Sequence, residues 1–79
     1  MSNDLDAELR RRYRDAVDAL PRKQREVFLA HRLDNMPYDE IARRAGMTMR
    51  QVERQMAKAM YKLVKQMEGE PLSWWERWF

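Results

Sequence analysis

Apolar residues recur at helical spacing near the start of the chain. Between Leu5 and Leu20 they fall three or four positions apart, which predicts a first helix with one buried stripe. The residues of this stripe are Leu5, Leu9, Tyr13, Ala16, Val17 and Leu20. Because no segment of the sequence suggests a strand, we expect an all-α domain.

Two shorter helices should follow the first. Pro21 suits the first position of a second helix, which would run to about Leu33, and Asp34-Asn35 supply turn residues after it. After Met36-Pro37, a third helix is expected over residues 38–45. Gly46 should end that helix, because glycine readily adopts the left-handed conformation found at helix C-termini.

A fourth helix begins at Thr48, and its inner side is strongly apolar. Thr48 can cap the helix, and Gln51 three positions later completes the pattern of a capping box. Gly69-Glu70-Pro71 should end it. The predicted inner stripe consists of Val52, Met56, Ala59, Met60, Leu63 and Met67.

The pattern as a whole predicts a small four-helix domain over residues 1–68, followed by an aromatic tail over residues 69–79. Within the domain, residues 38–67 form the candidate helix-turn-helix. A chain of 79 residues has room for one small core only. The absence of Cys rules out disulfides and thiolate metal sites, and no apolar run is long enough for a membrane span, so a cytoplasmic protein is expected.

Positive charge is concentrated in one part of the chain. Residues 41–68 carry seven Lys or Arg against two Asp or Glu, a net charge of +5. Residues 1–40 carry eight against nine, and residues 69–79 carry one against two, so each of these segments has a net charge of −1. Such asymmetry favours a surface that binds a polyanion. A solvated cationic helix face would have the same composition, so charge alone does not distinguish it from a polyanion-binding surface.

The third and fourth helices provide the more specific signal, because only a glycine turn separates them. Their facing residues should be Ile41, Ala42 and Ala45 on one helix and Val52 and Met56 on the other. In a helix-turn-helix the second helix enters the DNA major groove and its first turns meet the base edges. Arginine donates hydrogen bonds to guanine, glutamate accepts a hydrogen bond from cytosine, and lysine binds phosphate. The candidate DNA-binding residues are therefore Thr48, Arg50, Glu53, Arg54, Lys58 and Lys62.

Several short motifs resemble a known family. Residues 20–28 (LPRKQREVF), 38–42 (YDEIA), 46–48 (GMT) and 52–54 (VER) are similar to region 4 of bacterial sigma factors of the extracytoplasmic-function type. Residues 52–54, with the Ala-Lys-Ala that follows shortly after, most resemble the iron-citrate-uptake branch. The resemblance implies recognition of the promoter −35 element and contact with the flap of the RNA polymerase β subunit. It places Arg50, Glu53, Arg54 and Lys58 against DNA, and the first two helices with part of the fourth against polymerase.

The sequence departs from the family pattern in two ways. Pro37 stands where the family often has Ser or Thr, which removes a side-chain cap and a potential phosphate contact. The domain that melts the −10 element is also absent from this sequence, so we expect either an excised domain or a stand-alone cofactor or decoy. A response-regulator-type effector domain and a protein-interaction module that binds polymerase or an anti-sigma partner are the alternatives.

The aromatic tail has two interpretations. Trp74, Trp75, Trp78 and Phe79 would share one face of a short helix, and this face either closes the small core or anchors a protein partner. His31, the only histidine, is expected to be a packing or helix-surface residue. No arrangement of catalytic or metal-binding residues is evident, so the sequence predicts neither an enzyme nor a cofactor.

Overall fold

The computed structural model describes the backbone of residues 2–67 and the side chains of residues 7–67. Four helices make up this part of the chain: α1 (Ser2–Asp18), α2 (Arg22–Arg32), α3 (Tyr38–Ala45) and α4 (Met49–Gln66). Residues 2–67 contain no strand, and the predicted all-α class is confirmed. The aromatic tail, with the aromatic face predicted for it, lies outside the described residues.

Helix α4 is the centre of the domain, because it packs against each of the other three helices. Its predicted inner stripe is buried except for Met60, which is half-buried. The main core joins this stripe, apart from Met67, to Ala16, Val17 and Leu20 from α1 and its end, Val27 and Phe28 from α2, and Ile41 and Ala42 from α3. The Phe28 ring lies 6.4 Å from the Tyr13 ring in a tilted arrangement.

A second, smaller cluster joins the beginning of α1 to the end of α4. Leu9 and Met67 are both buried there, and Tyr13 packs against them. The side chain of Arg12 donates a hydrogen bond across the same junction to the carbonyl oxygen of Gln66, at 3.4 Å. Met67, the C-cap of α4, is therefore held against α1.

The end of α4 differs from the prediction. The helix ends at Gln66, before the predicted Gly69-Glu70-Pro71, and Met67 has already left the helical conformation with ψ 21°. Its N–H still donates to the Leu63 carbonyl oxygen at 2.9 Å. Met67 thus lies in a buried cluster with Leu9 at the point where the helix ends.

The junction between α1 and α2 corrects one detail. Pro21 was expected to be the first helical residue, but it is the N-cap, with ψ 150°, and α2 begins at Arg22. The Pro21 carbonyl oxygen accepts the N–H of Arg25 at 2.9 Å, so the proline still starts the hydrogen bonding of the helix. The Arg25 guanidinium also donates to the carbonyl oxygen of Asp18 at 3.0 Å, which satisfies the C-terminal end of α1.

The turn between α2 and α3 is formed as the sequence predicts. Asn35 adopts a left-handed conformation with φ 54°, which asparagine tolerates better than most residues. His31 Nδ1 lies within hydrogen-bond distance of the Met36 carbonyl oxygen, at 3.1 Å, and its ring is 4.7 Å from that of Tyr38. His31 is half-buried, which agrees with the expectation of a packing or helix-surface residue. Pro37 caps α3 without a side-chain hydrogen bond, as its chemistry requires.

The turn between α3 and α4 depends on Gly46. Its backbone has φ 66° and ψ 35°, the left-handed conformation predicted for it. A Cβ at this position would meet nothing within 4 Å, so the glycine is needed for its conformation and not for space. The Met47 N–H donates to the Ala42 carbonyl oxygen at 2.8 Å and closes the end of α3.

Thr48 begins α4 with the predicted capping box. The Thr48 hydroxyl accepts the backbone N–H of Gln51 at 3.1 Å, and the Gln51 side chain accepts the Thr48 N–H at 2.8 Å. These two bonds satisfy two backbone donors that a helix start otherwise leaves to water. The first turn of α4 is thus held in place by its own side chains.

Replacing Leu63 should test the role of α4 as the centre of the core. Leu63 is fully buried, so Leu63→Ala should lower the free energy of unfolding by about 2–5 kcal/mol. Its neighbour Val64 is 44% exposed, and Val64→Ala should change stability by only about 0.5 kcal/mol. Urea denaturation followed by circular dichroism measures both. Equal losses for the two variants would contradict this packing.

Replacing Thr48 should test the cap. Thr48→Ala removes the hydroxyl that accepts the Gln51 N–H and should cost about 1 kcal/mol of folding stability. Thr48→Ser keeps an equivalent acceptor and should remain within about 0.5 kcal/mol of the parent chain. The same denaturation experiment compares them, and an alanine variant as stable as the serine variant would show that the cap contributes little.

Candidate nucleic-acid interface

Helices α3 and α4 are held at a fixed angle by their shared part of the core. Ile41 and Ala42 on α3 are buried in the same cluster as Val52 and Met56 on α4, as predicted. Ala45 is exposed, which corrects the expectation that it faces α4. It is the last residue of α3, and the chain turns at Gly46 immediately after it, so Ala45 lies at the margin of the helix pair.

The outer face of α4 carries a row of three cations. Arg50, Arg54 and Lys58 are all exposed, whereas Val52 and Met56 between them are buried. Residues four apart on a helix lie nearly above one another, so the three side chains form one stripe about 12 Å long. The major groove is about 12 Å wide, which admits an α-helix with its side chains. We call this stripe the cationic row.

Within residues 7–67, no ion pair involves a member of the cationic row. Arg43 and Arg44 on α3 differ, since both lie close to the Glu40 carboxylate, at 3.7 and 3.9 Å. Charges without an internal partner keep their full attraction for an external anion. The cationic row should therefore attract a polyanionic ligand more strongly than the two arginines on α3 do.

The remaining predicted DNA-binding residues are exposed but lie around this row. By helical periodicity, Glu53 lies to one side of it, and Lys62, four positions after Lys58, continues it toward α1. Lys62 lines a groove with Ala16, Ala19 and Leu20, so its base is next to α1. The Thr48 hydroxyl already accepts a hydrogen bond in the capping box, which leaves its proton able to donate to a phosphate oxygen.

Two apolar grooves also mark the surface, and sequence periodicity did not predict either one. The first, of about 330 Å³, lies between α2 and α3 and includes Val27, Ile41 and Met47 in its lining. The second, of about 470 Å³, lies between α1 and α2 and is here called the α1–α2 groove. Its lining residues are Arg10, Tyr13, Arg14, Val17, Asp18, Leu29 and Leu33. Each groove lies between two helices, so it becomes visible only once their packing is known.

The α1–α2 groove has an apolar floor and a charged rim. Burial raises the pKa of the Tyr13 hydroxyl above its usual value, and the nearby Arg32 guanidinium lowers it by less, so Tyr13 stays neutral at physiological pH. Leu33, at one end of the groove, is 68% exposed, the most exposed of the large hydrophobic residues described. Leu33 thus extends the apolar surface of the groove, and a continuous apolar patch, unlike a single exposed leucine, is typical of an interaction site.

Across the described side chains, no three His, Asp or Glu residues come close enough together to hold a metal ion. None of the helices in residues 2–67 has the length and apolar character needed to cross a bilayer.

Comparison with protein families identifies the domain. Residues 10–63 match the family described as Sigma-70, region 4, a span that runs from α1 to the last turn of α4. Comparison with curated proteins and with solved structures gives no match. The family match favours a sigma region over a response-regulator-type effector domain, and its members are DNA-binding regulatory domains rather than enzymes. The chain therefore belongs to the sigma-70 region 4 family of helix-turn-helix DNA-binding domains in transcription regulation.

Proposed function

We propose that this chain recognises a promoter −35-type element in duplex DNA and works there with RNA polymerase. The observation that carries the proposal is the cationic row, which is exposed along the first half of the helix that a helix-turn-helix inserts into the major groove. The capping box supports it, because it orders the first turn of α4 before DNA arrives.

Each residue of the interface has a proposed role. Arg50 and Arg54 would read guanine O6 and N7, and Glu53 beside them would accept from cytosine N4. Lys58, one turn further along, would bind phosphate. Thr48, at the start of α4, and Lys62, near α1, would contact the phosphate backbone of the DNA. Such contacts fix the position of the helix along the DNA without reading the base sequence.

The polymerase contact is proposed for the other side of the domain. The α1–α2 groove supports this placement because it is apolar and because Leu33 lies exposed beside it. Its lining comes from α1 and α2, whereas the cationic row belongs to α4. DNA and the β flap could then be bound at the same time.

The finer family assignment is also a proposal. Residues 52–54 and the Ala-Lys-Ala at 57–59 support an extracytoplasmic-function type and, within it, the iron-citrate-uptake branch. In the structure Val52 is buried while Glu53 and Arg54 are exposed, so this short motif combines a core residue with two candidate base-reading residues. We also propose residues 1–68 as the functional domain and residues 69–79 as a separate tail.

Selection from random duplex DNA, with and without core RNA polymerase, tests the function as a whole. We expect enrichment of one short duplex motif of the −35 type, and stronger enrichment when polymerase is present. Failure to enrich any sequence under both conditions would refute sequence-specific recognition. Enrichment that polymerase leaves unchanged would refute only the cooperation with polymerase.

Replacing Arg54 should reduce sequence recognition. Arg54→Ala should weaken binding to the selected site by about 1–3 kcal/mol and blur the preference at one base pair, because a bidentate base contact is lost. Arg11→Ala is the matched control, since Arg11 is an exposed α1 residue paired with Glu8 and its loss changes the net charge equally. Fluorescence anisotropy on the selected and scrambled duplexes measures both. Equal weakening by the two variants would show that only net charge matters.

Replacing Lys58 should affect all DNA alike. Lys58→Ala should weaken selected and scrambled duplexes by a similar factor, because a phosphate contact carries no sequence information. The slope of log K against log salt should become shallower by about 0.9, the value expected for one lost phosphate contact. Titrations at several salt concentrations measure it. A loss of affinity confined to the selected duplex would instead assign Lys58 to base reading.

A further inference from the structure

The end of α4 packs against α1, one of the two helices that line the α1–α2 groove. Met67 packs with Leu9 in a buried cluster, and Tyr13 packs against this cluster. Tyr13 also lines the α1–α2 groove, so the last described residue is one side chain away from it. Met67, the last described residue, and the α1–α2 groove therefore share Tyr13 as a neighbour.

We propose that the aromatic tail docks in the α1–α2 groove of its own chain. Trp74 is seven positions after Met67, a separation that an extended chain can span up to about 25 Å. The groove extends along α1 from Arg10 to Asp18, a distance of about 12 Å. The first tryptophan therefore has ample reach into the groove, and the later aromatic residues can follow along it.

The chemistry of the two partners is complementary. The tail brings the aromatic side chains Trp74, Trp75, Trp78 and Phe79, and the groove offers the apolar surfaces of Tyr13, Val17, Leu29 and Leu33. Residues 68–79 contain three Glu and one Arg, a net charge of −2. The rim of the groove carries Arg10 and Arg14 against Asp18, a net charge of +1. Both arginines can also stack on indole rings.

The exposure of Leu33 also supports the aromatic tail as the occupant of the α1–α2 groove. Leu33 leaves 68% of its surface in water, although Leu29 one turn earlier is half-buried. An aromatic side chain that enters the groove would cover Leu33, and burial of such a side chain is strongly favourable. One competing site within the described residues is the exposed pair Tyr61 and Val64 on α4, for which the chain offers a direct control.

Docking would give the tail a regulatory effect, and this consequence rests on the proposed polymerase contact. A tail that fills the α1–α2 groove occupies the surface that we assign to the β flap. The tail and the flap would then compete, and the DNA-binding face on α4 would stay open. The tail would therefore act on polymerase recruitment and not on DNA affinity.

Tryptophan fluorescence of the full chain tests the docking directly, because all three tryptophans lie in the tail. We expect blue-shifted emission, protection from acrylamide quenching, and no dependence on protein concentration. Leu33→Gln should weaken docking about tenfold and move the emission to the red, because apolar contact is lost. Leu33→Met should retain docking. Circular dichroism should show that both variants stay folded, since Leu33 is exposed.

Val64→Gln is the matched control, and it should leave emission and quenching unchanged. A red shift with Val64→Gln but not with Leu33→Gln would overturn the proposal in favour of the α4 surface. Solvent-exposed emission in the parent chain, or blue-shifted emission that neither substitution alters, would also overturn it. Protection that grows with protein concentration would mean that the tail docks on a second copy instead.

Binding to the isolated β flap separates the two proposals. Trp75→Ser with Trp78→Ser in the full chain should raise flap affinity about tenfold if tail and flap share the groove. If fluorescence shows docking but flap affinity does not rise, the tail occupies the groove and the polymerase contact has been placed wrongly. If fluorescence shows no docking, the tail proposal fails. Binding to the isolated β flap then tests the polymerase contact independently.

Discussion

Burial of the inner side of α4 is the interaction on which the rest of the domain depends. Val52, Ala59 and Leu63 are completely buried, and the other three helices all pack on this helix. A chain of this size has one small core, so the same helix must both complete that core and present the interface. The 3.6-residue period allows this, because apolar and cationic side chains emerge on opposite faces. The backbone that carries the cationic row is therefore held in place by the core behind it.

The turn before α4 determines the direction of this helix relative to α3. Gly46 supplies a left-handed conformation that ends α3, and two residues later Thr48 starts α4 with a reciprocal pair of hydrogen bonds. Neither residue contributes to the core, yet together they determine where the first turn of α4 points. Arg50 lies in that first turn, so the turn geometry and the position of the candidate reading residue are linked by a few backbone angles.

The two ends of α4 serve different surfaces. Its first half carries the cationic row, whereas its last turn packs on α1 through Met67 and Leu9. The α1–α2 groove begins beside this second contact, since Tyr13 belongs to both. This arrangement separates a face suited to DNA from a face suited to apolar protein contact. A tail docked in the α1–α2 groove, as proposed above, would leave the cationic row free.

Local sequence determined the helices, the Gly46 turn, the capping box and the identity of the exposed cations, because these depend on propensity, periodicity and hydrogen bonds between near neighbours. The position of Pro21 as a cap, the exposure of Ala45 and the early end of α4 at Gln66 were predicted wrongly. These details, and both grooves, depend on which side chains of distant segments meet. Only the tertiary structure decides them, since burial at a helix end or between two helices is a property of the pair and not of either sequence alone.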